Sequence, residues 1–168
     1  QQISHALERV FAEQKLKHQA LHDSLTGLAN RVLFMDRVGH AMDRLKRHNQ
    51  ESVCIMYLDL DKFKTINDTL GHLVGDEFLI NVSRVIDENI RNCDTLARLG
   101  GDEFAILLED INDKAEAIEV AERIISSLKT PIQVSKQKLA TSVSIGIAFS
   151  DHNLNGVDLI KHADTAMY

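Results

Sequence analysis

The stretch "RLGGDEFAILLED", Arg98 to Asp110, decides the fold. "TLARL" runs into it and "FAILL" runs out of it, both short and apolar, so both flanks read as strands. Between them Gly100 and Gly101 supply positive φ without steric cost, which is what a two-residue primed turn demands. The expectation is a tight hairpin that carries Asp102 and Glu103 at its tip. Solvated hairpins with charged tips are common, so the hairpin alone assigns no chemistry.

Upstream, "SVCIMYLDLD" (Ser52 to Asp61) is too short and too rich in β-formers for a helix. It is apolar along its length, which predicts a central strand in a covered sheet. Helical spacing marks Met35, Val38, Met42 and Leu45, then Leu79, Val82, Ile86 and Ile90, and then "AEAIEVAERIISSL" before the break at Pro131. "IQVS" and "LATSVSIGIAFS" are expected to form an edge pair, and a last helix to start near Val157. The order β-α-β-β-α-β predicts an α+β fold: a ferredoxin-like or palm-type, antiparallel-containing sheet with helices packed around it, on one of its faces. The first segment, residues 1–22, lacks Gly and Pro, and Ile3, Leu7, Val10 and Leu21 fall near a heptad stripe interrupted by Gln14 and Lys17. It predicts a linker or signalling helix that needs a partner, or else an ordinary docking helix. Residues 23–168 then form the domain proper.

The chain has 168 residues, 44% of them hydrophobic, enough for one domain with a real core. A net charge of −6 offers no broad attraction to nucleic acid or to an anionic membrane, so a phosphate has to be met by a local device. Neither nucleic-acid binding nor membrane insertion of this segment is expected. Cys54 and Cys93 are the only cysteines, in apolar contexts that suit buried thiols in a reducing cytoplasm rather than a disulfide framework. A cytoplasmic location follows as the expectation, including the cytoplasmic part of a membrane-bound sensor. The chain starts at Gln1 rather than Met and stops inside the helical pattern "HADTAMY", so it reads as a piece of something longer, with an upstream sensor domain expected.

The chemistry is expected where the first strand ends. Asp59 and Asp61 alternate with Leu60 there, so period two projects both acids to one side. Asp61 can be read as an N-cap of the helix that follows. Asp59 sits a step inside an apolar strand, where an uncompensated charge is costly without a cation or hydrogen-bond partner. A hairpin lying beside this strand brings Asp102 and Glu103 toward Asp59, and converging carboxylates invite Mg²⁺, a hard cation that keeps waters and takes substrate phosphates. The turn "DKFK" can offer the backbone N–H groups of Lys62, Phe63 and Lys64 to phosphate at a helix N-terminus.

"GGDEF" at Gly100 to Phe104, together with "DSLTGLANR", "DLDKFKTINDTLGHLVGDEFL", "VSIGIA" and "ADTAMY" in this order, resembles the GGDEF family of diguanylate cyclases over roughly Asp23 to Tyr168. The resemblance implies a palm-like fold and condensation of two GTP into cyclic di-GMP with release of two pyrophosphates. It implies that Asp59, Asp102 and the Leu60 carbonyl hold Mg²⁺, with Mn²⁺ as an alternative, and that Glu103 completes the catalytic acid pair with Asp102. Asn67 and Asp76 match the family's guanine-reading positions. A carboxylate can accept from both N1–H and the 2-amino group of guanine, a pattern adenine lacks. Read without the family, Asn67 is a turn or cap residue and Asp76 a first-turn acid. "RNCD" matches the family's product-inhibition site through Arg91 and Asp94; as bare sequence it reads as a surface salt bridge. The resemblance also implies a homodimer, because each domain holds one GTP and the two must face each other. In the family a Lys and often an Arg follow "ADTAMY" and reach the phosphates. This chain ends before them, so the domain is expected to be truncated at its C-terminal end. The rival readings are a catalytically silent module that binds GTP or cyclic di-GMP, and a relative that accepts ATP. Intact acids at Asp59, Asp102 and Glu103 oppose the first, and Asp76 opposes the second.

Overall fold

The computed structural model describes residues 2–47, 52–150 and 154–167. Helix α1 (Gln2–Leu21) leads through a turn to α2 (Arg31–Arg47), and then come β1 (Ser52–Leu60), α3 (Phe63–Leu70), α4 (His72–Asp87), β2 (Thr95–Gly100) and β3 (Glu103–Ile111). α5 (Lys114–Lys129), β4 (Ile132–Val134), β5 (Gln137–Leu139), β6 (Val143–Phe149) and α6 (Gly156–Met167) complete the order. The main sheet runs β2-β3-β1-β6 with every neighbouring pair antiparallel. This is the α+β, ferredoxin-like arrangement read from the sequence, with β1 in the interior of the sheet.

β1 is apolar on both sides because both sides are covered. Cys54, Met56, Leu58 and Leu60 pack with Phe78 and Val82 of α4 and Ile124 of α5, whereas Val53, Ile55 and Tyr57 pack with Phe34 and Val38 of α2 and Leu159 of α6. The expectation that helices lie on one face is therefore corrected: they sandwich the sheet. The pattern of β1 already demanded this, since a strand with one wet face alternates.

Several local readings are also corrected. "IQVS" does not pair with the strand of "VSIGIAFS": β4 pairs with β5 in a separate two-stranded sheet, and β6 lies against β1. α4 ends at Asp87, so Ile90 lies beyond it, although it still packs on the core. The two loop residues of the hairpin are Gly101 and Asp102, because Gly100 already pairs with Glu103. Gly100 (φ 148°) and Gly101 (φ 50°) both hold positive φ, and a Cβ on either would meet open space, so backbone conformation and not crowding selects glycine. Cys54 is buried, its thiol pushed up to about 12 by desolvation, but Cys93 is exposed.

The end of α1 is tied to the domain. Asn30 accepts from Leu33 N–H at the start of α2 and donates from Nδ2 to the Ala20 carbonyl at 2.8 Å. Phe11 and Leu16 of α1 are exposed. The side chains of Ile3, Leu7 and Val10, part of the stripe read from the sequence, lie outside the described residues. No described helix is long and apolar enough to cross a membrane.

Candidate functional site

The acids converge through the ladder. Asp59, the eighth residue of β1, stands directly across from Glu103, the first of β3, and the Leu60 N–H donates to the Asp102 carbonyl at 3.3 Å. Desolvation first, and then the charges of Asp102, Glu103 and Asp61, push the Asp59 carboxyl above its ordinary value. Like charges gathered at a half-buried position raise the energy of the ionised form unless a cation offsets them. Tyr57, two residues back on the same face, is buried, and its hydroxyl lies near Arg31 and Glu103; burial raises its pKa, Arg31 lowers it and Glu103 raises it.

Asp61 has a different environment. Ser142 donates to its Oδ2, Ser144 donates to its Oδ1 at 3.0 Å, and the Asp61 N–H donates to the Ser142 carbonyl at 3.0 Å. The reading of Asp61 as a helix cap is corrected, because the N-cap of α3 is Lys62 with no side-chain cap bond. Lys62 is left-handed at φ 61°, and the first backward bonds of the turn come from Thr65 and Ile66 to its carbonyl. The N–H groups of Lys62, Phe63 and Lys64 therefore precede the helical ladder, as an anion-facing turn requires. A cleft of about 410 Å³ opens beside this turn, lined by Asp61, Lys62, Thr65, Ile66, Lys129 and Ser142 among others.

Asn67 and Asp76 are brought together by a helix break. Gly71, at φ 86°, separates α3 from α4 and turns the chain so that Gly75 faces Asn67. A Cβ on Gly75 would fall 1.8 Å from Asn67 Oδ1, so the amide of Asn67 occupies the space that glycine leaves, one residue from the exposed Asp76.

Arg91 and Asp94 meet at the other end of the hairpin. The Arg91 N–H donates to Asp94 Oδ2 at 2.9 Å, and the guanidinium pairs with Glu116 rather than with Asp94. Glu109 N–H approaches Asp94 Oδ1 at 3.4 Å, and desolvation holds the Asp94 carboxyl above its ordinary value. The six residues of β2 separate this corner from the acids at the tip by roughly 20 Å. A hollow of about 550 Å³ flanks the corner, basic in character, with Arg37, His40, Arg44 and Arg47 of α2 beside Cys93.

Among the described residues no group of three His, Cys, Asp or Glu side chains forms a ready metal cage. The donors at the hairpin end are hard oxygens, Asp59 and Asp102 carboxylates and the Leu60 carbonyl, which fit a cation that completes its shell with water and phosphate. Sequence reading missed Ser142 and Ser144 as holders of Asp61, and Arg31 and Tyr57 beside Glu103. These contacts join residues far apart in the chain, and no local pattern announces them.

The family model described as "Diguanylate cyclase, GGDEF domain" matches residues 20–168. The chain belongs to the GGDEF family. Within it, the chain is 43% identical over 155 residues to diguanylate cyclase TpbB of Pseudomonas aeruginosa, covering 91% of this chain and 35% of that protein. It is 41% identical over 159 residues to cyclic di-GMP phosphodiesterase PdeR of Escherichia coli, covering 94% of this chain and 23% of that protein. The chain thus spans about a third or less of the length of these relatives. Among solved structures, the coiled coil and GGDEF domain of DgcB from Caulobacter crescentus, in complex with c-di-GMP, superimposes with a TM-score of 0.89 at 27% identity, covering 99% of this chain and 89% of that one. GGDEF diguanylate cyclases use a divalent metal, and the oxygen donors gathered at the hairpin suit one.

Proposed function

We propose that this chain is a diguanylate cyclase domain that condenses two GTP into cyclic di-GMP and releases two pyrophosphates. The observation that carries the reading is the Asp59 carboxyl set across from Glu103 and beside Asp102, held above its ordinary value in an unneutralised acid cluster. Asp59, Asp102 and the Leu60 carbonyl would hold Mg²⁺ or Mn²⁺. When bound, the metal supplies charge neutralisation at the α-phosphate and acidifies the attacking 3′-hydroxyl.

The chain's own groups do the rest. The N–H groups of Lys62, Phe63 and Lys64 bind phosphate oxygens, with the Lys64 ammonium adding charge. Asp76 accepts from N1–H and the 2-amino group of guanine, and Asn67 completes the base contact. Glu103 or Asp102 takes the proton of the 3′-hydroxyl as its oxygen bonds to the α-phosphorus and the pyrophosphate oxygen leaves. One domain holds one GTP, so two domains facing across a two-fold axis exchange attacks, and cyclisation needs a homodimer. Residues 1–22 act as the signalling helix that governs this pairing for an upstream sensor, and 23–168 as the cyclase domain in the cytoplasm. Arg91 and Asp94 bind cyclic di-GMP as an inhibitor.

A second reading is supported by the 41% identity to PdeR, named for a different activity: a module that binds GTP or cyclic di-GMP without turnover and regulates a neighbour. Chromatography of products from GTP and Mg²⁺, at several protein concentrations and beside an ATP control, separates the two. Cyclic di-GMP from GTP alone, at a rate rising faster than linearly with protein, is the expected result. GTP binding and dimerisation without product would select the silent module.

A further inference from the structure

Arg98 grips both the turn after α1 and the tip of the acid-bearing hairpin. Its Nη1 donates to both Asp23 carboxylate oxygens at 3.1 Å, and its Nε and Nη2 donate to the Gly101 carbonyl at 3.0 and 2.7 Å. The side chain is only 12% exposed. Asp23 is fixed in turn by the Thr26 N–H at 2.9 Å and the Thr26 hydroxyl at 2.7 Å. The Arg98 N–H donates to the Ala29 carbonyl at 3.0 Å, so backbone and side chain both bind the segment between α1 and α2.

The tip needs such a restraint. The β2–β3 register breaks between Arg98 and Gly100, and beyond the break Gly100 and Glu103 are the only paired residues. Two positive-φ glycines follow one another there, the backbone type with the most freedom to lose. Asp102 is held through its carbonyl by Leu60 N–H, and Gly101 through its carbonyl by Arg98. Only a guanidinium presents enough donors, in one plane, to satisfy a carboxylate and a carbonyl at once.

We infer that Arg98 is a positioning residue: by clasping Asp23 and the Gly101 carbonyl together it sets where Asp102 and Glu103 stand, so the turn after α1 and the acid cluster shift as one unit. The inference rests on the diguanylate cyclase reading above. Asp23 follows Leu21 by two residues, so a displacement of α1 reaches the hairpin tip through the Arg98 side chain.

The test compares Arg98→Ala, Arg98→Lys and Asp23→Ala with the parent. Turnover is followed as cyclic di-GMP formed, nucleotide affinity with a fluorescent GTP analogue, and stability as Tm. Both Arg98 variants should lose roughly ten- to a hundredfold in kcat, the cost of a displaced reacting group, with analogue affinity near that of the parent because the guanine contacts lie on α3 and α4. Lysine should fail to rescue, since it serves one end of the clasp only, and Asp23→Ala should show the smaller loss. Parental kcat in Arg98→Ala, or kcat and affinity falling together in step with Tm, would make Arg98 a plain fold-stabilising ion pair and overturn the inference. Amide hydrogen exchange gives a readout free of turnover: exchange at 101–103 should quicken in both Arg98 variants while β1 keeps its protection, and unchanged exchange at the tip overturns the proposal. If the parent itself makes no cyclic di-GMP, the cyclase reading fails, and the exchange measurement alone decides for or against the clasp.

Discussion

The two ends of the β2–β3 hairpin carry similar numbers of charged groups and treat them in opposite ways. At the tip, Asp59, Asp61, Asp102 and Glu103 crowd together; Asp61 accepts from Ser142 and Ser144, and the Tyr57 hydroxyl lies beside Glu103. At the base, Arg91 is paired with Glu116, and Asp94 accepts from the Arg91 N–H. The tip is a cluster that a cation relaxes. At the base the Arg91 guanidinium already has its partner in Glu116, so a ligand there has to break a pair before it gains one. That difference predicts an obligatory metal at one end and a tunable, weaker site at the other.

The harshest way to break the comparison is at the tip. Asp59→Asn removes a hard anionic donor, and several kcal/mol of lost charge stabilisation correspond to a fall in turnover of about 10²–10³ in a steady-state assay. The same substitution should raise Tm at neutral pH. Burial and neighbouring acids raise the Asp59 pKa above 3.8, so its ionised form weakens the fold above that raised value. The cost fades as pH falls through the raised value toward 3.8, and the Tm advantage of Asp59→Asn should vanish with it. Asp23 has the opposite sign: burial raises its pKa, but the Thr26 and Arg98 bonds outweigh that and lower it, so its stabilisation is full above 3.8 and is lost only as pH falls through the lowered value. A variant both more stable and inactive marks a functional cluster; an Asp59→Asn protein with lower Tm and parental activity would remove the metal role.

At the base, Arg91→Ala should preserve turnover and weaken product inhibition by about ten- to a hundredfold, the worth of one or two charged hydrogen bonds. Inhibition curves at fixed GTP measure it directly, and undiminished inhibition would return "RNCD" to a surface ion pair. Gly75→Ala probes the corner between α3 and α4 proposed to read the base: the new methyl displaces the Asn67 amide, and KM for GTP should rise about tenfold with kcat little changed. The mildest change sharpens the contrast. Glu116→Gln frees the Arg91 guanidinium from its partner, so inhibition should tighten by a few-fold in the same curves.

The order of the fold was legible because its signals are local. The run Val53 to Leu58 is buried residue after residue, and the glycine pair marks the hairpin. The two-sided cover of β1 is legible in principle, since Val53, Ile55 and Tyr57 are as apolar as Cys54, Met56 and Leu58, although the element order by itself suggests one-faced packing. The short β4–β5 pair was not legible, because three-residue strands carry too little period to show their partner. For the site, residue types and motif order named Asp59, Asp102 and Glu103, the turn at Lys62 to Lys64, and Asn67 with Asp76, and the structure sets Asp59 across from Glu103 and Asn67 against Gly75. What they omitted acts at long range: Ser144 reaches Asp61 across 83 residues, and Arg98 reaches Asp23 across 75. Cys93 shows the limit of composition, since an apolar neighbourhood in sequence became an exposed thiol at a basic hollow.

The interior place of β1 has a consequence during synthesis. Its partners, β3 and β6, are made long after it, with Phe149 of β6 pairing back to Cys54. When β1 emerges from the ribosome it is therefore a largely apolar strand with both edges bare. Contacts that close so late slow folding and leave that strand open to sticking to other chains. Early cover can come from α2, which precedes β1 and packs on one of its faces, whereas the other face waits for α4 and α5.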